Sequence, residues 1–181
     1  MIRIHVMMPA ARHDHAPVAA ELVAPYRAGF AAAGMELVER PWTEGPGSES
    51  ADGAATLSLF AWGYHHDSKG WLELLADWPG DRPLFNPPAL MSWNSRKTYL
   101  RELADAGVPV VPSRFGPADA ATVADAFAAF GCGELVVKPQ VSAGTWLTQR
   151  LRPGDPVEPI AEAILQPFLP AVGDEGELSF L

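Results

Sequence analysis

The sequence is short of cysteine, of positive charge and of long apolar runs, and each shortage narrows what the chain can be. Its single cysteine, Cys132, excludes an intramolecular disulfide and fits a reducing compartment, so a cytoplasmic location is expected. Thirteen Lys and Arg against 22 Asp and Glu leave a net charge of −9, which argues against a general nucleic-acid or anionic-membrane surface; any phosphate site has to be local. No stretch approaches the roughly 18 apolar residues of a membrane span. The opening MIRIHVMMPAAR is too short an apolar run for a signal segment. Two phosphate-binding fingerprints are also missing: neither G-x-x-x-x-G-K-[ST] nor G-x-G-x-x-G occurs.

What is present is an ordinary globular composition, 48% hydrophobic and 19% charged over 181 residues, enough for one domain or two small ones. Residues 2–8 form an apolar run closed by Pro9, which predicts a buried first strand. From Pro17 the apolar positions Val18, Leu22, Tyr26 and Phe30 recur every four residues and stop at Gly34, which predicts a helix kinked or split at Pro25. Strands are expected at 35–38, 55–62 and 83–85, a surface loop over 43–53, and a helix carrying Trp71, Leu72, Leu74, Leu75 and Trp78. Strand and helix in alternation imply a small parallel α/β domain over residues 1–85.

Residues 86–181 read as a partial α+β domain. Asn94 or Ser95 is expected to cap a helix that carries Lys97 in its first turn, with Leu100, Leu103 and Ala104 following and Gly107 ending it. A strand at 108–111, a helix at 119–130 burying Val123, Phe127 and Phe130, and strands in ELVVKPQV, WLTQRL and ILQPFL follow. The chain stops at GELSFL within a strand-like run, so an incomplete second domain is expected.

Two lysines carry the strongest local signal. Lys138 ends the buried run ELVV directly before Pro139, and an ammonium there must meet solvent, a carboxylate or a phosphate, because an unpaired buried charge is costly. The loop VSAGT that follows can turn backbone N–H groups onto a phosphate. His13-Asp14-His15 and His65-His66-Asp67 admit a metal or, for residues of this kind in loops and turns, simple helix capping. His13 and His15 also follow the C-terminal end of a predicted parallel strand, where α/β domains bind ligands, so a substrate contact is expected of them. Trp62, Trp71, Trp78 and Trp93 are expected in the core.

Taken in order, N-P-P-A-L-x-x-W-N-x-x-K-x-Y-L, G-V-P-V-V-P-S, V-V-K-P-x-V-S-A-G, Q-P-F-L-P and G-E-L-S resemble the ATP-grasp superfamily. The branch most similar holds glutathione synthetase, the ribosomal-protein glutamate ligases and the cyclo-ligase of cycloserine biosynthesis. The resemblance covers residues 84–181 well and residues 1–85, the pre-ATP-grasp domain, loosely through AWGYHHD. It implies ATP and Mg²⁺ as cofactors and ligation of a small-molecule carboxylate to an amine, or a ring closure, through an acyl phosphate, with no nucleic-acid or membrane partner. It further implies that Lys97 and Lys138 hold the phosphates and that Ser142, Ala143 and Gly144 form the mobile loop over them. Gln166, Pro167, Phe168 and Leu169 then read adenine, and Glu177 holds the ribose hydroxyls. The family's Mg²⁺ ligands lie on strands after G-E-L-S, so none is expected within this chain and the chain alone is expected to be inactive. The rival readings are a non-catalytic nucleotide-binding module and a small-ligand-binding α/β domain in which both lysines are surface charges.

Overall fold

A computed structural model describes residues 1–46 and 53–176. The expected loop over 43–53 falls partly outside them, and Glu177 and the strand expected at its position fall wholly outside. The chain divides into two compact units, Met1–Ser95 and Arg96–Leu181, further along than the 85/86 division read from the sequence. The extra residues form a helix, α4 (Pro88–Ser95), which packs on α3 (Ser68–Ala76) and therefore belongs to the first unit.

In the first unit four strands, β1 (Ile2–Met8), β2 (Met35–Pro41), β3 (Gly53–Leu57) and β4 (Leu84–Phe85), form an all-parallel sheet in the order β2-β1-β3-β4. The side chains of β1 alternate between two cores. Ile4, Val6 and Met8 pack with Ala19, Val23 and Leu37, while Met7 packs with Trp42, Trp71, Leu75 and Leu84. Burial on both faces is what lets a parallel strand read as a continuous apolar run. The helix after β1 is broken at the expected place into α1 (Ala16–Leu22) and α2 (Ala24–Ala32), since Pro25 has no N–H to continue the ladder. Of the tryptophans, Trp71 is buried, Trp62 and Trp78 are half-buried, and Trp93 is exposed; Trp42 is a core residue that the sequence reading did not single out.

Two expectations in this unit need correction. The third strand ends at Leu57, not at residue 62, because the chain turns there: Phe60 N–H reaches back to Met7 O and Ala61 N–H to Ser58 O. Ser95 ends a helix instead of starting one; its hydroxyl donates to Met91 O and accepts from the Trp71 indole N–H at 2.8 Å.

The second unit holds an antiparallel sheet ordered β5-β8-β6-β7, from β5 (Arg114–Ala118), β6 (Leu135–Pro139), β7 (Gln149–Leu151) and β8 (Ile160–Pro167). One face, through Leu135, Val137, Ala163 and Leu165, is covered by α6 (Ala120–Phe130), with Val123 and Ala126 buried and Phe127 and Phe130 half-buried. Asp119 starts α6 with a complete capping box to Thr122 and Gly131 ends it in the left-handed region. Residues 108–111 do not form the expected strand. Pro109 and Pro112 lack the N–H groups a ladder needs, and pairing begins only at Arg114. Two short helices complete the unit, α5 (Tyr99–Asp105) and α7 (Ala171–Asp174).

Candidate functional site

Lysine is scarce here, with three in the whole chain, and two of them converge. Lys69 pairs with Glu73 one helical turn on, at 2.9 Å, on the exposed face of α3. Lys97 does not stand in the first turn of a helix as expected. It occupies the break between α4 and α5, where its backbone N–H is taken by Gln140 O at 2.9 Å. Its ammonium donates to Ser142 O at 2.7 Å, so the second half of the expected phosphate site, the loop after β6, already touches the first. Burial, and then the charge of neighbouring Lys138, pull the Lys97 ammonium from 10.5 down to about 8.

Lys138 sits one residue from the end of β6, paired across the ladder with Ile164. Alternation along β6 puts Leu135, Val137 and Pro139 toward α6, and Val136 and Lys138 on the other face. Because directly paired residues share a face, Ile164 and Gln166 belong to that second face too. Gln166 is buried, and its amide donates to the Ser113 hydroxyl at 2.8 Å. It stands two positions along β8 from the partner of Lys138, about 7 Å at strand rise. Pro167 ends β8, Phe168 N–H bonds Glu134 O, and the Phe168 ring lies under the Arg150 guanidinium at 3.5 Å. Leu169 is exposed. Ser142 is buried; Gly144 is exposed with φ +58, a conformation that suits glycine, so the loop turns sharply at that residue.

Lys97, Lys138 and Ser142 are thus brought together within the second unit, and Gln166 shares their sheet. The histidines form another cluster, in the first unit. The His13 ring lies 5.3 Å from His15 and 5.5 Å from His66, centroid to centroid, and His65 and His66 are 4.1 Å apart. His13 Nδ1 accepts the His15 backbone N–H at 3.2 Å. Burial, then the proximity of His15 and His66, lower the His13 pKa below 6.5, with Asp14 opposing. Room for the His13 ring comes from Gly63, whose φ is +84 and at which a Cβ would come within 2.3 Å of His13 Cδ2. Among the described residues no group of three or more His, Cys, Asp or Glu is arranged to hold a metal ion. Among them, too, no helix is long and apolar enough to cross a membrane.

Sequence reasoning missed Gln140, which turns out to be bonded at every polar group, and Arg96 beside it. A polar residue just after the buried run VVKP was the one available hint.

A parallel four-stranded sheet followed by an antiparallel one is the fold that this chain shares with ATP-grasp ligases. No family model matches the sequence, and no curated protein matches it significantly. Among solved structures, D-cycloserine synthetase DcsG superposes with a TM-score of 0.78 over 96% of this chain and 62% of that one, at 23% identity. A RimK-domain ATP-grasp protein from Sphaerobacter thermophilus gives 0.61 over 93% and 64%, at 20% identity. D-alanine–D-alanine ligase from Bacillus anthracis gives 0.61 over 93% and 58%, at 13% identity. The chain spans less than two thirds of the length of each of these structures.

Proposed function

We propose that this chain is a cytoplasmic carbon-nitrogen ligase that uses ATP to join a small-molecule carboxylate to an amine, or to close a ring, through an acyl phosphate. The observation that carries the reading is the convergence of Lys97 and Lys138, two of only three lysines, beside a glycine turn in a chain of net charge −9. Two cations held close together cost the folded state energy, and an anion between them removes that cost. The fold shared with known ligases supports the same reading.

In this account the lysines neutralise the phosphate charge, and Ser142, Ala143 and Gly144 close over it, with Lys97 exchanging the Ser142 carbonyl for phosphate oxygens. Backbone groups of Gln166, Pro167, Phe168 and Leu169 hold adenine, Glu177 the ribose hydroxyls, and His13 and His15 the substrate. Bound ATP supplies the phosphoryl group that turns the carboxylate into an acyl phosphate; the amine nitrogen then bonds the acyl carbon, phosphate leaves, and the amine gives up a proton. No covalent nucleophile of the protein is needed, so the contribution of the chain is positioning and charge neutralisation.

Calorimetric titration with a non-hydrolysable ATP analogue, followed by ADP release over a panel of amino acids and peptides, tests the proposal. Binding with substrate-dependent ADP release is expected. Binding without turnover on any substrate favours a nucleotide-binding module, and no binding at all overturns the reading.

A further inference from the structure

Gln140 is 7% exposed, and each of its polar groups is engaged. Its backbone N–H donates to Glu162 O at 2.9 Å, extending the β6–β8 ladder by one step, and its backbone carbonyl accepts the Lys97 N–H at 2.9 Å. The side-chain amide donates to Ala163 O at 3.2 Å, and Oε1 faces Arg96 Nη1 at 3.5 Å. Arg96 is itself held by Glu162 at 2.8 Å. A buried carboxamide is used here because one flat group supplies both a donor to Ala163 O and an acceptor for Arg96, which an apolar side chain would remove.

Its place in the chain matters as much as its bonds. Gln140 lies two residues after Lys138 and two before Ser142, and it holds the backbone of Lys97 across the break between α4 and α5. The Lys97 carbonyl accepts the Leu100 N–H at 3.2 Å as α5 begins, but its N–H has no helical partner, so the carbonyl of Gln140 helps to set its position. The strand end carrying that carbonyl is pinned by the Gln140 side chain.

We infer that Gln140 is a positioning residue: by anchoring the end of β6 to Ala163 and Arg96 it fixes the spacing of Lys97, Lys138 and the Ser142 loop, and so the affinity of the site for a polyphosphate. This rests on the reading of the two lysines as phosphate ligands. A residue that only stabilises the sheet would lower the melting temperature and leave ligand affinity well below that temperature unchanged.

The test compares wild type with Gln140→Leu, in the full chain, by amide hydrogen exchange without nucleotide and by calorimetric titration with AMP-PNP. Should Gln140→Leu fail to fold, Gln140→Asn, which keeps an amide too short to reach both partners, replaces it. Exchange at the Lys97 amide is expected to quicken at least tenfold relative to the β6–β8 ladder amides, and AMP-PNP affinity to fall tenfold or more. Unchanged Lys97 protection, or uniformly faster exchange with wild-type affinity, overturns the inference. If wild type binds no AMP-PNP, the nucleotide reading fails, and the exchange at Lys97 alone decides whether Gln140 positions it.

Discussion

Each unit gathers basic side chains at one place, and the same physics leaves the two gatherings in different states. In the first, His13, His15 and His66 crowd together, and burial and mutual proximity push the His13 ring toward its neutral form. In the second, burial and Lys138 pull Lys97 down to about 8, which still leaves the ammonium mostly charged near neutral pH. The same two causes acting on groups that start four units apart, at 6.5 and 10.5, leave the His13 ring biased toward its neutral form and the Lys97 ammonium still mostly charged. Under the proposed function, Lys97 and Lys138 would attract phosphate at physiological pH, and a neutral His13 ring would offer a donor and an acceptor to the substrate.

The comparison breaks first if Lys138 is not a ligand. Lys138→Met keeps much of the stem and removes the charge, and a charge-assisted bond of roughly 1.5 to 3 kcal/mol predicts a loss of about tenfold to over a hundredfold in AMP-PNP affinity. Wild-type affinity in that variant, measured by calorimetry, would show that the lysine is not a phosphate ligand.

A smaller effect sharpens the contrast in pH. An anion raises the Lys97 pKa, so binding takes up a proton above about 8, and affinity is full below that value and declines above it. If only the protonated form binds, affinity falls about fivefold from pH 8 to pH 9 in wild type, and Lys97→Met loses most of that slope. Folding stability runs the opposite way. Lys97 has a lowered folded-state pKa, so its unfavourable charging is complete below about 8 and is relieved as pH rises toward 10.5. Denaturant midpoints over this window should rise in wild type relative to Lys97→Met; parallel curves would remove Lys97 from the account.

The smallest effects belong to the histidines. His13 has a lowered folded-state pKa, so its contribution to stability is present above 6.5 and is lost as pH falls through its folded value. His13→Asn should flatten the acid limb of the stability profile slightly and leave AMP-PNP affinity within about twofold. A large loss of nucleotide affinity would mean that the clusters are not separate in function.

Local signals carried much of the fold. Pro25 split its helix, Asp119 capped α6 and the run LVVKP became a strand because each outcome follows from the chemistry of a few adjacent residues. Prolines misled where they imitate strands, as at 108–111, and where they open helices, as Pro88 does for α4. The convergence of Lys97 with the Ser142 loop was readable only through resemblance, since its bond joins residues 45 apart in sequence. Gln140 was hinted at only by a polar residue following the buried run VVKP. Its role comes from a carbonyl and a guanidinium supplied by other elements, and nothing in its immediate neighbours announces them.

Gly63 carries two constraints that differ in kind, and a genetic screen would separate them. One is conformational, a φ of +84 that other residues adopt at a cost; the other is steric, the His13 ring sitting where a Cβ would be. Alanine at position 63 meets both in the wild-type background and only the first once His13 is trimmed to alanine. The two positions should therefore show positive epistasis: the double variant is less damaged than the sum of the single ones, with the remainder measuring backbone strain alone.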